Sequence, residues 1–315
     1  MNGKILITGG LGNLGSWMTK EFCESGYEVY VLSRSAKNNI PDINYKLIIA
    51  DITDFADLGK KLDTDFDYCI HTASYNEFFL DNYPKKALEI NTLGTRNILE
   101  ILSKKNLKRF IYFSTFHVYG ANSGVVNENS ELKPKNDYAS THLFAEYYVK
   151  QFAATKGLDY IIFRLSNSYG APTFINSDKW YLVINDLVKS AFEHGKIIIK
   201  SNGEPKRDFI WMGDVCKITK EMLNVGVNDV YNMSSKESRK IIDIANIVKA
   251  QYQKRYNKTV NIEVNNNDKT VYTNLIVDNS KLKKQLNYEM KNMLAVEINN
   301  IFDLLEKHTM KNIDL

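Results

Sequence analysis

The chain has 315 residues, 44% of them hydrophobic, enough for one large domain or two unequal lobes. Its 41 basic and 37 acidic residues leave a formal charge of +4 with no basic block, which argues against nucleic acid as a partner. No apolar run reaches membrane-spanning length, and Cys23, Cys69 and Cys216 are odd in number, far apart and without metal-ligand spacing. The expectation is therefore a protein with no membrane segment, no metal and no disulfide framework, in a reducing, cytoplasmic compartment.

Lys4–Thr8 predicts an apolar strand that runs straight into Gly9, Gly12 and Gly15, with Trp17, Met18 and Phe22 marking a helix behind them. That order builds a dinucleotide site. Gly9 suits the tight turn, Gly12 a close backbone approach to a pyrophosphate, and Gly15 close packing of helix on strand. The anion would sit on the free N–H groups at Asn13 and Leu14, where the helix dipole is positive.

Further strands are predicted at Glu28–Leu32, Lys46–Ala50, Asp67–His71, Arg109–Ser114 and Asp159–Leu165, with helical patterns between most of them. Alternation of this kind predicts a doubly wound, Rossmann-type parallel sheet covered by helices on both faces. From about Pro172 the texture changes: a helix at Tyr181–His194, a strand at Lys196–Lys200, a turn at Ser201–Pro205, and helices at Ile241–Tyr256 and Met293–His308. We therefore expect a dinucleotide-binding domain over 1–171 and a smaller α/β substrate lobe over 172–315, with some segments returning to the main sheet. Ligands should enter the cleft between them, outside the strand C-termini.

Residues suited to chemistry follow the predicted strands. Ser33 and Arg34 end the second, Asp51 and Ile52 the third, and Thr72, Ala73 and Ser74 the fourth. Thr115, Phe116 and His117 follow the fifth. Asp137–Glu146 then starts a helix that points Tyr138 and His142 the same way, one turn apart. Arg164–Gly170 and Arg207-Asp208-Phe209-Ile210 complete the set.

In order and spacing these motifs resemble the extended short-chain dehydrogenase/reductase family, particularly its nucleotide-sugar branch of 4-epimerases, 4,6-dehydratases, 4-reductases and 4-oxidases. The resemblance implies that Thr115 hydrogen-bonds the reacting sugar hydroxyl and that Tyr138 is the general base or acid. It implies that Asn91 supports the active-site helix beside the cofactor, that Asp51 meets adenine, and that Asn167 and Arg207 hold the substrate diphosphate. Phe116 and His117 would border the sugar. It also implies a homodimer or higher oligomer through a four-helix bundle, here the helices Leu93–Lys104 and Ser140–Thr155. Ile98, Leu99 and Leu102 on the first, with Leu143, Tyr147 and Phe152 on the second, are the expected contact residues.

Two departures matter. The family's lysine four residues after the tyrosine is His142 here, which is mostly neutral at pH 7 and supplies no fixed charge to lower the Tyr138 pKa. The Asp-Glu pair that serves dehydration is Phe116-His117, with no carboxylate, so dehydration is disfavoured. The cofactor choice is divided: Arg34 favours the 2′-phosphate of NADP, while redox-cycling members of the family that keep their cofactor generally use NAD, the expected cofactor. The leading expectation is oxidation or reduction at C4 of a nucleotide-activated sugar. A GDP-linked heptose of bacterial surface polysaccharide is the named candidate, and 4-epimerisation is the alternative. A reading of another class, a dinucleotide-binding sensor or scaffold without turnover, has His142 as its main support.

Overall fold

A computed structural model describes residues 2–36, 38–75, 84–225 and 228–313. The chain opens with β1 (Lys4–Thr8), α1 (Asn13–Glu24), β2 (Glu28–Ser33), β3 (Lys46–Ile49), α2 (Phe55–Lys61) and β4 (Tyr68–His71). α3 (Pro84–Ala87), a π-helical stretch (Leu88–Gly94), α4 (Thr95–Leu102) and β5 (Arg109–Thr115) follow. Next come β6 (Gly124–Val126), α5 (Asp137–Lys156), β7 (Tyr160–Leu165) and β8 (Asn167–Tyr169). Then α6 (Val183–His194), β9 (Lys196–Ile199), β10 (Lys206–Trp211), α7 (Met212–Met222) and β11 (Asp229–Met233) lead to the last section. It contains β12 (Ser238–Lys240), α8 (Ile241–Tyr256), β13 (Asn261–Val264), β14 (Leu275–Val277), α9 (Ser280–Gln285) and α10 (Leu294–Ile313).

Seven strands form one parallel sheet in the order β11-β7-β5-β4-β1-β2-β3. β4 and β5 are buried along their whole length, as expected of central parallel strands covered on both faces. One face packs on α1 and α7 around Ile7, Met18, Phe22, Val215 and Met222. The other packs on α2, α4 and α5 around Leu58, Ile98, Leu102, Val149 and Phe152. The strand order reverses between β1 and β4, the switch point at which such sheets open a crevice.

A third core joins α6, α8 and α10 through Val188, Ala191, Ile244, Val248, Ile298 and Phe302. It lies under a three-stranded sheet, β12-β10-β8, and the pair β13-β9. β11 and α7 come from residues beyond 171 yet belong to the main sheet and its cover.

Two expectations need correction. Ile98, Leu99, Leu102, Leu143 and Phe152 are buried within the chain itself, because α4 and α5 turn these sides onto the sheet and the loop behind it. The apolar side chains left outward on the same helical pair are Leu93, Phe144 and Tyr147, at 48%, 46% and 54% exposure. Secondly, the first helix of the pair starts as a π-helix at Leu88 rather than at Leu93.

Candidate active site

The glycine turn at the switch point divides its work by residue. Gly9 has φ +67°, and a β carbon there would meet the Ala73 backbone at 2.8 Å. Gly15 is tighter still, since its β carbon would lie 2.0 Å from the Gly9 carbonyl oxygen, so the helix can approach only without a side chain. Gly12 differs: its φ is −76°, and a β carbon would touch only Gly9 O, at 3.1 Å. Its free side is the cleft. Gly12 is also the N-cap of α1 and offers no side chain to the first-turn N–H groups.

A cleft of about 360 Å³ opens over this turn. Gly9, Gly12, Asn13, Ser33, Arg34, Asp51, Ile52, Thr72, Ala73 and Ser74 line it, all expected from sequence. Leu14 packs toward the core beneath. Thr72 is tied to β1 by its hydroxyl, which donates to Thr8 O at 2.7 Å. The Asp51 carboxylate accepts the Thr53 N–H and hydroxyl at 2.9 and 2.8 Å, which fixes its orientation at the rim. Thr173, Phe174, Asn176 and Lys179, which sequence reasoning missed, close the opposite wall. Their segment is pinned by Ser16–Thr173 (2.8 Å), Trp17 Nε1 to Ala171 O (3.1 Å) and Asn176 Nδ2 to Asn38 Oδ1 (2.9 Å).

The reactive side chains meet where β5 ends and α5 begins. Asn136 caps α5 by accepting the Ala139 N–H at 2.8 Å, which sets Tyr138 in the first turn. The Tyr138 phenol faces Thr115, the last residue of β5. Burial pushes the phenol up to about 12, and Thr115 pulls the other way. His117 stands edge-on to Tyr138 at 6.2 Å and stacks on Phe116 at 4.1 Å. Burial, helped by the charge of Arg207, lowers His117 to about 4.

His142 is one turn beyond Tyr138, ring centroids 4.6 Å apart, and fully buried. Its Nδ1 is 2.7 Å from the Tyr112 hydroxyl, and its Nε2 has no hydrogen-bond partner among the described residues. Burial, with His71 and His117 nearby, lowers it to about 3. Asn91 binds across to this helix: Nδ2 donates to Thr141 Oγ1 at 3.0 Å and to Tyr75 O at 2.9 Å, while Oδ1 accepts Tyr75 N–H at 2.6 Å. Its amide is fully committed, so Asn91 positions α5 and the start of the loop at Tyr75.

Asn167 and Arg207 lie on neighbouring strands of the smaller sheet, where Asn167 Nδ2 donates to Asp208 O at 2.9 Å. Asp208 does not pair with Arg207. Its carboxylate is taken inside by Ser166 and by the Ser235 N–H (3.0 Å) and hydroxyl (2.9 Å). Arg207 stays exposed and makes no ion pair among the described residues, directly across from Arg239 in the antiparallel register. Arg239 already holds a carboxylate, Glu237 at 3.2 Å, which leaves Arg207 as the guanidinium of the two without one among the described residues.

His142 Nε2 is a buried polar atom without a partner among the described residues, and the turn at Gly12 leaves room for a phosphate. The residues therefore fit NAD. Among the described residues no group of three or more His, Cys, Asp or Glu could hold a metal ion, and no helix is long and apolar enough to cross a membrane.

A parallel sheet with a glycine turn at its switch point, and a Thr–Tyr pair at the next crossover, defines an extended short-chain dehydrogenase/reductase. Residues 5–234 match the model of the NAD dependent epimerase/dehydratase family, and the chain belongs to that family. It is thus an NAD-dependent enzyme of the nucleotide-sugar epimerase and dehydratase group. It is 31% identical over 251 residues to a putative UDP-glucose 4-epimerase of Methanocaldococcus jannaschii, covering 78% of this chain and 81% of that protein. Among solved structures, UDP-glucuronic acid 4-epimerase from Bacillus cereus in complex with NAD superposes with TM-score 0.82, 25% identity and coverage of 96% and 99%. UDP-N-acetylglucosamine 4-epimerase from Methanobrevibacter ruminantium shares the fold, with TM-score 0.83, 22% identity and coverage of 97% and 99%.

Proposed function

We propose that the enzyme oxidises C4 of a nucleoside-diphosphate sugar and reduces it again on the other face, as a 4-epimerase. The observation that carries this reading is Thr115 set against the Tyr138 phenol, where it favours the ionised form, with Phe116 and His117 where dehydration needs two carboxylates. When bound, NAD supplies hydride acceptance and return.

Everything else falls to this chain. Tyr138, as phenolate, takes the proton of the C4 hydroxyl and gives it back on reduction. Thr115 holds that hydroxyl in line with Tyr138. Asn91 fixes the helix that carries Tyr138, and the segment Ala171–Lys179 closes the cofactor wall, which suits a cofactor that is recycled in place. Arg207, exposed and without an ion pair among the described residues, receives the diphosphate as a planar double donor, and Asn167 borders it.

The relatives named above act on UDP-sugars, so we propose a UDP-linked sugar in place of the GDP-linked heptose expected from sequence. We also propose a homodimer through the outward faces of α4 and α5. The test is a panel of UDP-, GDP-, CDP- and dTDP-sugars with product NMR. Inversion at C4 without net change in NADH absorbance supports the reading. Net NADH formation on addition of sugar would make the enzyme a dehydrogenase instead, and an olefinic or deoxy product would make it a dehydratase. Arg207→Ala should weaken sugar-nucleotide binding about 10- to 150-fold, the loss of a charge-assisted contact, with NAD affinity unchanged. Equal loss of both ligands would refute its assigned role.

A further inference from the structure

Beneath the cleft lies a column of buried polar groups that the scheme above leaves unused: Thr95, His71, Tyr112 and His142. Its hydrogen bonds can be followed proton by proton, because a hydroxyl has only one to give. Thr95 donates to Asn91 O at 2.6 Å, so toward His71 Nε2, at 2.9 Å, it can only accept. His71 therefore carries its proton on Nε2, and its Nδ1 accepts from the Thr8 hydroxyl at 2.6 Å. The Thr8 oxygen is in turn free to accept the Ala73 N–H at 3.3 Å. His71 is neutral and completely satisfied.

The next pair obeys the same count. Tyr112 stacks on His71, ring centroids 5.8 Å apart and 26° between planes, and is buried. Within hydrogen-bond distance of its hydroxyl stands His142 Nδ1, at 2.7 Å. A buried O–H without an acceptor costs about 1–3 kcal/mol, so Tyr112 donates and Nδ1 accepts. The proton of His142 is then on Nε2, the atom that has no partner among the described residues. A buried N–H donor is left without an acceptor among the described residues.

We propose that Tyr112 is a positioning residue that locks His142 in its Nε2–H tautomer, so that the imidazole presents one neutral donor to the bound dinucleotide. That a dinucleotide supplies the acceptor rests on the cofactor named under Proposed function; the tautomer does not. His142 thus does by direction what an ammonium would do by charge. The groups that face the ring keep it neutral. Tyr112 comes from β5, Tyr138 from its own helix, His71 from β4 and His117 from the turn after β5, and none is an anion at neutral pH. The neighbouring carboxylate, Glu146, is spent on Arg164 (2.8 and 3.0 Å) and Ser114 (2.6 Å).

The test is long-range 1H–15N correlation on the full chain labelled with 15N-histidine, from about pH 8 down to about pH 5.5, without and with NAD. His142 should show a protonated Nε2 and an unprotonated Nδ1 throughout, and NAD should shift the Nε2 resonance. Tyr112→Phe keeps the ring on His71 and removes only the donor. In that variant His142 should populate both tautomers, and NAD should bind more weakly by the reciprocal of the Nε2–H fraction, about twofold for an even mixture. The His71 resonances, unchanged, would show that the column still stands. An Nδ1–H tautomer in the wild type, an imidazolium at neutral pH, or an unchanged tautomer in Tyr112→Phe would overturn the proposal. None of these spectra depends on turnover, so an enzyme inactive on every sugar nucleotide would sink the proposed function and leave this assignment standing.

Discussion

Gly12 and Gly15 belong to one turn and meet different constraints in the structure. A side chain at Gly15 collides with the Gly9 carbonyl at 2.0 Å, whereas one at Gly12 projects into the cleft. Gly12→Val should therefore fold and lose NAD binding, while Gly15→Ala should lower the melting temperature. Retained cofactor in Gly12→Val would refute the turn as the pyrophosphate site. The same scale governs Tyr138. Its phenol is pushed up to about 12, so the phenolate form is scarce at neutral pH and activity should rise with alkalinity. Tyr138→Phe should lose at least about 10²-fold in kcat with fold and NAD content intact, the usual size of an acid–base contribution. His142→Lys installs a positive charge beside the phenol, which favours its ionised form, and should move the alkaline-rising limb to lower pH. Coincident pH profiles would show that position 142 does not tune Tyr138.

Helical elements tell a less direct story. The 3.6-residue pattern located α5 and α8 well, but it could not say which apolar side was already taken. Ile98, Leu99, Leu102, Leu143 and Phe152 satisfied the pattern because they serve the chain's own core. What remains outside is Leu93, Phe144 and Tyr147, with a shallow pocket of about 290 Å³ between Thr92, Phe144, Tyr147, Tyr148 and Gln151. Exposed apolar side chains grouped on one helical face mark an association surface. Phe144→Glu combined with Tyr147→Glu should thus convert the protein to a monomer in sedimentation at micromolar concentration, without loss of helicity. An oligomer that survives both charges would move the interface elsewhere. β11 was illegible for the opposite reason. Asn232 sits in the middle of it, fully buried, and breaks the apolar run. Only tertiary partners make that tolerable: Tyr119 donates to its Oδ1 at 2.6 Å, and its Nδ2 donates to Asp278 O at 2.9 Å. The cleft wall at Thr173–Lys179 was equally hidden, being a loop placed by bonds to Ser16 and Asn38 far away in sequence.

At the scale of the whole molecule, the sheet and the residues at its strand ends were legible because each strand-end motif is local, whereas the proton inventory beneath them is not. No local signal links Tyr112 to His142, or His71 to Thr95; the sheet brings them together. That inventory makes a global prediction. His71 and His142 are buried in the neutral form, each lowered from 6.5 to about 3. Below pH 6.5 the unfolded chain takes up protons that the folded chain refuses, so stability is complete above that pH and falls as pH drops toward about 3. At pH 5 each histidine should have cost about 2 kcal/mol. Asp208 and Asp214, pushed up by burial, have the opposite slope because the folded state protonates first, but they act at lower pH, nearer the carboxylate range. The urea midpoint should therefore be flat above about pH 7 and fall steadily from about pH 6.5 to about pH 5. His71→Gln, which can still accept from Thr8 and donate to Thr95, should lose stability overall and flatten about a third of that slope, since His117, lowered to about 4, shares it with His142. A midpoint that does not change between pH 7 and pH 5 would mean that the two imidazoles are not sealed from water, and with them the neutral column beneath the active site would fall.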